Sequence, residues 1–438
     1  MRTFVASLFL ALFAAAGVAR AADAPLAFPG AQGWAAHTAG GRGGALLKVT
    51  TLAANGPGSL RAALETKGPR TIVFEVGGII DLDRARIAIV EPFVTVAGQT
   101  APPPGITLLR GGLVIATHDV VLRHIRVRTG AAGIAPFAGW DIDALTTQAG
   151  AWNVIVDHCT FTWATDENLS ASGPRFQGAN PDEWRKNMSH AITFSNNLIA
   201  EGLKNAGHSK GEHSKGSLIH DNANDILLVG NLYAHDYERS ALFKGGVRAM
   251  MVNNLIYDPG ARAVHYNLIA EEWIEWPYEA GRIALIGNVM RAGPSTRTPI
   301  ALFMLGGSGD VELYMHDNVA VDAIGNALPQ TGRYTAGRAR IVSVTKAPAL
   351  PEGVQPLPSV DVQDHVVKNA GATPWNRDLV DRRIVANTIE GRGEIIDSET
   401  QVGGYPRYAA TAKPFVEAEW DMATMEPKTP FQQAEPPR

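Results

Sequence analysis

One phrase recurs seven times along the chain, and it limits the possible fold more than any other feature. It reads "VVLRHIRVR" from Val120, "VIVDHCTFTW" from Val154, "ITFSNNLIAEG" from Ile192 and "ILLVGNLYAHD" from Ile226. It continues as "AMMVNNLIYDP" from Ala249, "IALIGNVMRAG" from Ile283 and "ELYMHDNVAVD" from Glu312. Each copy is an alternating apolar strand, a tight polar turn and a second short strand. Aligning the turns puts Ile125, Cys159, Asn197, Asn231, Asn254, Asn288 and Asn318 in one column, at intervals of 34, 38, 34, 23, 34 and 30 residues. A fixed phrase at variable spacing suits a parallel β-helix, in which each rung adds strands to stacked sheets and extra residues leave as loops. A β-propeller, whose blades repeat every ~40–50 residues, fits the 23-residue interval poorly. Asparagine in the turn has two physical reasons: it tolerates the left-handed backbone of a sharp bend, and stacked asparagines can hydrogen-bond along the column. The 45 glycines agree with a turn-rich, all-β chain, and the apolar spacing gives little support to helices.

The flanks differ from this core. The chain opens on Arg2, an apolar run from Phe4 to Ala16 and the small-x-small triplet Ala19-Arg20-Ala21. That is the pattern of a secretory signal peptide cut after Ala21, and the run is too short to span a membrane. Residues 1–21 are read as that leader, 22–345 as the β-helix and 346–438 as a tail packed on it. Within 22–345, "GPGSLRAALE" reads as a loop and short helix capping the open end of the solenoid. Within the Pro-rich tail, "NRDLVDRRIVANTIEGRG" reads as one helix. Loss of Arg2 and Arg20 with the leader takes the formal charge from −4 to −6, which argues against nucleic acid as a partner. With Cys159 as the only cysteine, no intrachain disulfide is possible, so an exported chain must be held by its core and backbone.

Polar groups concentrate in three segments. "GWDIDALTT" holds Asp141 and Asp143; "VDHCTFTWATDENLS" holds Asp157, His158, Asp166 and Glu167; the stretch from His208 to Arg248 holds Lys210, Lys215, Arg239, Lys244 and Arg248. Neighbouring rungs lie ~4.8 Å apart, so Asp143 on one and Asp166-Glu167 on the next can share an ion. Carboxylates without cysteine suit a hard cation, calcium first; the competing reading is that each acid caps a turn. His158 is expected to be a hydrogen-bonded core residue and Cys159 to pack as a small apolar one. Trp163 either stacks on a sugar or fills the surface. Lys210 and Arg248 read as solvated charges. A solenoid offers a groove suited to a polymer, and cations opposite a metal would hold a polyuronate.

The residues also resemble a known family. "FPGAQGW", "TTLAANGPGSLRAAL", "PRTIVFEVGGIIDL", "VTVAGQTAPPPGITL", "VDHCTFTWATDE" and "NRDLVDRRIVANTIEGRGEIIDSETQVGG" are similar to phrases of the pectate lyases of polysaccharide lyase family 1, and of a secreted bacterial branch within it. The resemblance covers nearly all of the chain after the leader. It implies a right-handed, single-stranded parallel β-helix and calcium-dependent β-elimination of polygalacturonate. The resemblance matches Asp143 and Asp166 to calcium aspartates. The third acid position is Ser170, for which Glu167 is a substitute. In "RSALFK", Arg239 takes the place of the catalytic base and Lys244 that of a second arginine that contacts substrate. Lys215, before "SLIH", matches a substrate-binding lysine.

The doubled phrase "HSKGEHSKG" is therefore divided: His208–Gly211 in the loop, Lys215 facing the groove beside Arg239, and the metal on Asp143 and Asp166, not on His208 and His213. The expected product is secreted to the periplasm or the medium and acts as a monomer on polygalacturonate or a related acidic polysaccharide. The alternatives are a lyase for alginate or methylated pectin, and a non-catalytic polysaccharide-binding β-helix.

Overall fold

The computed structural model describes residues 24–432; the leader assigned to residues 1–21 lies outside them. No helix among the described residues is long and apolar enough to cross a membrane. The chain is an all-β parallel β-helix. Three sheets of 11, 9 and 10 strands run along it, and within each the strands of successive rungs pair in parallel. One full rung comprises Leu145–Thr147 of the second sheet, Trp152–Asp157 of the first and Thr160–Thr162 of the third. The first sheet keeps the seven phrases in register: Val120 pairs with Val154, Val154 with Ile192, Ile192 with Ile226, and Ile226 with Ala249. Alternation puts Val154, Val156, Ile192, Phe194, Ile226 and Leu228 into one central core.

The column in the turn forms a hydrogen-bonded ladder. Oδ1 of Asn231 accepts from the amide of Asn197 at 2.9 Å and from its Nδ2 at 3.0 Å. The same pair of bonds links Asn231 to Asn254, Asn254 to Asn288 and Asn288 to Asn318. Cys159, packed in the core, joins the ladder through its backbone amide to Asn197 Oδ1 at 2.9 Å. The left-handed residue, however, is the one before the column. His124, His158, Asn196, Asn253 and Asp317 have φ between 49° and 59°, with Gly230 and Gly287 in the same place. The column asparagine is therefore selected for its buried amide and not for backbone freedom.

The outward faces of two sheets are covered. Ile155 and Val121 on the first sheet pack against Ala27, Phe28, Ala31 and Ala35 of the N-terminal segment. That segment lies close to the sheet: a Cβ on Gly41 would stand 1.8 Å from the carbonyl oxygen of Arg70. The expected cap helix forms at Leu60–Leu64, with Ser59 accepting at its N-cap, and it buries Leu60 and Leu64. The tail covers the third sheet with the expected helix, Leu379–Glu390, and with a second one that periodicity did not mark, Ser359–Asn369. Leu198, Leu232 and Leu255 on the sheet meet Val362, Val366 and Ile384 there. Arg126 and Arg128 also point outward from the third sheet yet are fully buried, because Asp378 and Asp381 of the tail lie over them.

Candidate functional site

The second sheet carries the cleft. Leu218, Leu242, Lys244 and Asn267, from three successive strands, alternate outward and form its floor. Asp166, Glu167, His213 and Arg239 stand along one side, in a cavity of about 410 Å³. These side chains meet because the chain enters each strand at the same height. Glu167 bridges in parallel to Lys215, and Lys215 to Glu238. Residues far apart in sequence thus become vertical neighbours one rung apart.

The structure brings Asp143, Asp166 and Glu167 together, with one ligand atom of each within 4.8 Å of the others. Asp143 accepts from the Glu167 amide at 3.1 Å. Burial, and then the charge of Asp166, push the Asp143 carboxyl up to about 8. Two facing carboxylates in a partly dry site are stabilised by a cation, and all three donors are oxygens, so the residues present fit calcium. Ser170 lies further on, inside Leu169–Ala171, and is fully buried. Its hydroxyl has no hydrogen-bond partner, so no such bond joins it to the three carboxylates.

Arg239, Lys215 and Lys244 are each already held by an acid. Arg239 Nη1 donates to Glu167 Oε1, so the candidate base and a candidate ligand are in contact. Burial lowers the pKa of Arg239, against the opposing charges of Asp166 and Asp143. Lys215 and Lys244 are not among those influences, and each is paired with an acid of its own. Lys244 Nζ donates to Glu272 at 2.9 Å, and Lys215 Nζ donates to Glu238. Glu238 also pairs with Arg262, so it serves two cations. Burial, and then the charge of Arg262, push Lys215 down to about 7. Lys215 is 4% exposed and does not line the cleft, whereas Lys210 does, beside Lys244. Glu238, Arg262 and Glu272 were not marked by the sequence reading; the only signal for Glu238 was its position next to Arg239.

Two further expectations change. Trp163 neither stacks on a ligand nor fills the surface. It is fully buried under the tail, and its Nε1 donates to Glu201 at 2.9 Å. The two histidines of the doubled phrase are not separate from the acids. Nε2 of His208 lies 3.5 Å from Asp166 Oδ1, and Nε2 of His213 lies 3.4 Å from the same oxygen. Burial alone raises the pKa of Asp166, but the two imidazoles outweigh it and hold the carboxyl well below the usual range. The loop folds back over the rungs, which no pattern in the sequence encodes. His158 is hydrogen-bonded as expected, its Nδ1 lying 2.7 Å from Asp157 Oδ2, but it is only partly buried, outside the core.

No family model matches the chain. Among curated proteins, the probable pectate lyase C of Aspergillus terreus is 32% identical over 403 residues, covering 90% of this chain and 85% of that protein. The probable pectate lyase C of Emericella nidulans is 31% identical over 402 residues, covering 90% and 83%. Among solved structures, the fold is similar to jun a 1, the major allergen from cedar pollen. The TM-score is 0.53 at 17% identity, over 78% of this chain and 92% of that one. It is also similar to a mutant pectate lyase of Bacillus subtilis, with a TM-score of 0.51 at 14% identity, over 78% and 97%.

Proposed function

Because the chain belongs to the pectate lyase family, we propose that it cleaves polygalacturonate by calcium-assisted β-elimination, leaving 4,5-unsaturated oligogalacturonides. We assign it to the secreted bacterial branch of polysaccharide lyase family 1, exported after removal of residues 1–21. The observation that carries the reading is the meeting of three carboxylates, Asp143, Asp166 and Glu167, with the partly buried Arg239 at one cleft.

The chemical problem is a barely acidic proton on C5, alpha to the uronate carboxylate. Asp143, Asp166 and Glu167 would hold calcium, which would supply positive charge to that carboxylate and to the enediolate that develops. Lys244, at the floor of the same cleft, and Lys215, one rung from Arg239, are the substrate-carboxylate contacts in this reading. To take that role each lysine exchanges its internal acid, Glu272 or Glu238, for the substrate. Arg239 removes the C5 proton as base, and the C4–O bond breaks. An arginine is a poor base at its usual pKa of above ~12. Burial is the lowering influence on Arg239, and a cation bound by Asp166 and Asp143 would offset the two carboxylates that oppose it.

The test is the ultraviolet absorbance of the unsaturated product on polygalacturonate, on alginate and on methylated pectin, for the wild type and for Arg239→Ala. Product on polygalacturonate that Arg239→Ala abolishes supports the reading. Product on alginate alone moves the substrate, and absence of product on every uronate refutes the lyase.

A further inference from the structure

The first sheet carries a second cavity, of about 450 Å³, away from the cleft on the second sheet. Its floor is a row of outward side chains on three successive rungs, Met250, Ala284 and Tyr314, which pair in register. Ala284 is the small member, so the floor dips between its two large neighbours. One wall is Trp34 of the N-terminal segment, and the other is residues 344–349, where the chain leaves the last strand of this sheet, Ile341–Ser343, for the tail. The N-terminal segment and the tail are tied together there, because the Gly33 amide donates to the Glu352 carbonyl oxygen at 2.8 Å.

The polar edge of the cavity lies two residues earlier on the same strands, where alternation returns to the outward face. Arg248, Arg282 and Glu312 pair there from rung to rung. Arg282 Nε lies 3.0 Å from Glu312 Oε2. Asp225, on the preceding strand Asn224–Val229, accepts from Asn224 Nδ2 at 2.8 Å. Arg248 is left over. Read from the sequence as a solvated charge, it is partly buried, and its Nε is out of water with no hydrogen-bond partner among the described residues. Burial, and then the like charges of Arg185 and Arg282, lower its pKa against the pull of Asp182 and Asp225. A buried donor without an acceptor is costly, and a guanidinium fork beside other cations is met best by a carboxylate. Three cations, Arg248, Arg282 and Lys346, line the cavity against two acids, Asp225 and Glu312. It is thus a positive place on a chain whose formal charge is −4.

The ligand follows from both rows. A bed of aromatic and aliphatic side chains beside a guanidinium matches a ring that has one apolar face and one carboxylate. We propose that this cavity is a second saccharide site that binds a hexuronate unit, with its carboxylate on Arg248 and its ring between Trp34 and Tyr314, over Ala284. The volume falls within the ~300–1,000 Å³ of pockets that hold small molecules, with a mostly apolar lining and a few convergent polar groups. The choice of a uronate among acidic ligands rests on the lyase reading; the cavity and its charge do not.

The test is binding of galacturonic acid to the full chain in the presence of chelator, read by calorimetry and by saturation-transfer NMR. The monosaccharide has no glycosidic bond at C4, so nothing can be eliminated during the measurement. It should bind, and Arg248→Gln should weaken it by at least about tenfold, the scale of a lost hydrogen bond to a charged group. Lys244→Gln, in the cleft, should leave this binding in place. Galactose, the same ring without the carboxylate, and acetate, the charge without the ring, should each bind at least about tenfold more weakly. Three results overturn the proposal: no binding of galacturonic acid, binding that Lys244→Gln removes and Arg248→Gln keeps, or equal binding of galactose. Equal binding of acetate would mean an adventitious anion only and overturns it too. Should Arg248→Gln not fold, Ala284→Leu decides: filling the floor should abolish binding, and unchanged binding refutes the site. A protein that binds here and forms no unsaturated product on any uronate keeps the site and loses the lyase reading, whereas one that cleaves polygalacturonate without binding here loses only the site.

Discussion

Replacing Asp381 by alanine should loosen the tail from the third sheet without dismantling the solenoid. Asp381 is fully buried and receives Arg128 Nη2 at 2.7 Å, Arg126 Nε at 3.3 Å and the Thr160 hydroxyl at 2.9 Å. The two arginines stay buried in the variant, sharing only Asp378, which Arg128 reaches at 2.7 and 3.0 Å. Removing one partner from a buried charge network costs about 3–5 kcal/mol, because it leaves charge uncompensated. At ~1.4 kcal/mol per factor of ten, that is at least about a hundredfold. The fitting assay is native-state hydrogen exchange on the amides of Leu379–Glu390, since opening of the tail is a local event. Protection there should fall by that factor, while amides in the first sheet, such as those of Ile192–Phe194, should change little. The acid dependence has a definite sign. Burial raises Asp378, but the charges of Arg128 and Arg126 outweigh it and hold the carboxyl well below its usual range. Its contribution is thus complete above the unfolded value of ~3.9 and is lost only as pH falls through the lower folded value. A loss of protection under threefold in Asp381→Ala at neutral pH would refute the argument that these charges depend on one another.

Breaking the ladder should be as costly. Asn254→Leu strands both the amide and the Nδ2 of Asn231, each buried, at about 1–3 kcal/mol per group; unchanged unfolding kinetics in denaturant would contradict this. Arg239→Lys should lose most turnover at neutral pH, and in the wild type kcat should rise with pH, since burial lowers Arg239 and only its unprotonated form accepts a proton. A flat kcat between neutral and alkaline pH, or a lysine variant near wild type, would remove Arg239 from that role. Lys215→Ala should reduce kcat/KM by about a hundredfold, the scale for a lost charge-stabilising contact, whereas Lys210→Ala should do little; equal losses would mean that the exposed lysine is the substrate contact.

The asparagine column was legible because the repeated turn lies in a run of alternating strands whose period does not depend on loop length. Its hydrogen bonds follow from stacking alone. The left-handed position was misplaced by one residue because it is filled variously by His, Asn, Asp and Gly, while the column holds Asn five times running. The buried arginines show a different limit. Arg126 and Arg128 occupy the outward places of a strand, where charge ordinarily meets water, and their partners are 250 and more residues away. Trp163 followed the same course, since the tail that covers it leaves no mark on its own strand. At the site, the residue types of the carboxylate cluster were readable from adjacent rungs. The internal partners of the cations, Glu238 and Glu272, were not, because a pairing across loops has no periodic signature. The return of His208 and His213 onto Asp166 is of that kind too.

The central claim, that the carboxylate cluster and Arg239 together run a calcium-assisted elimination, is tested most directly by following the unsaturated product on polygalacturonate as calcium is removed and restored. The absorbance should rise with calcium, stop on addition of chelator and resume when calcium is returned. Asp143→Asn should require more calcium for the same rate. Product formation that ignores the chelator, or reducing ends released without the unsaturated chromophore, would contradict it.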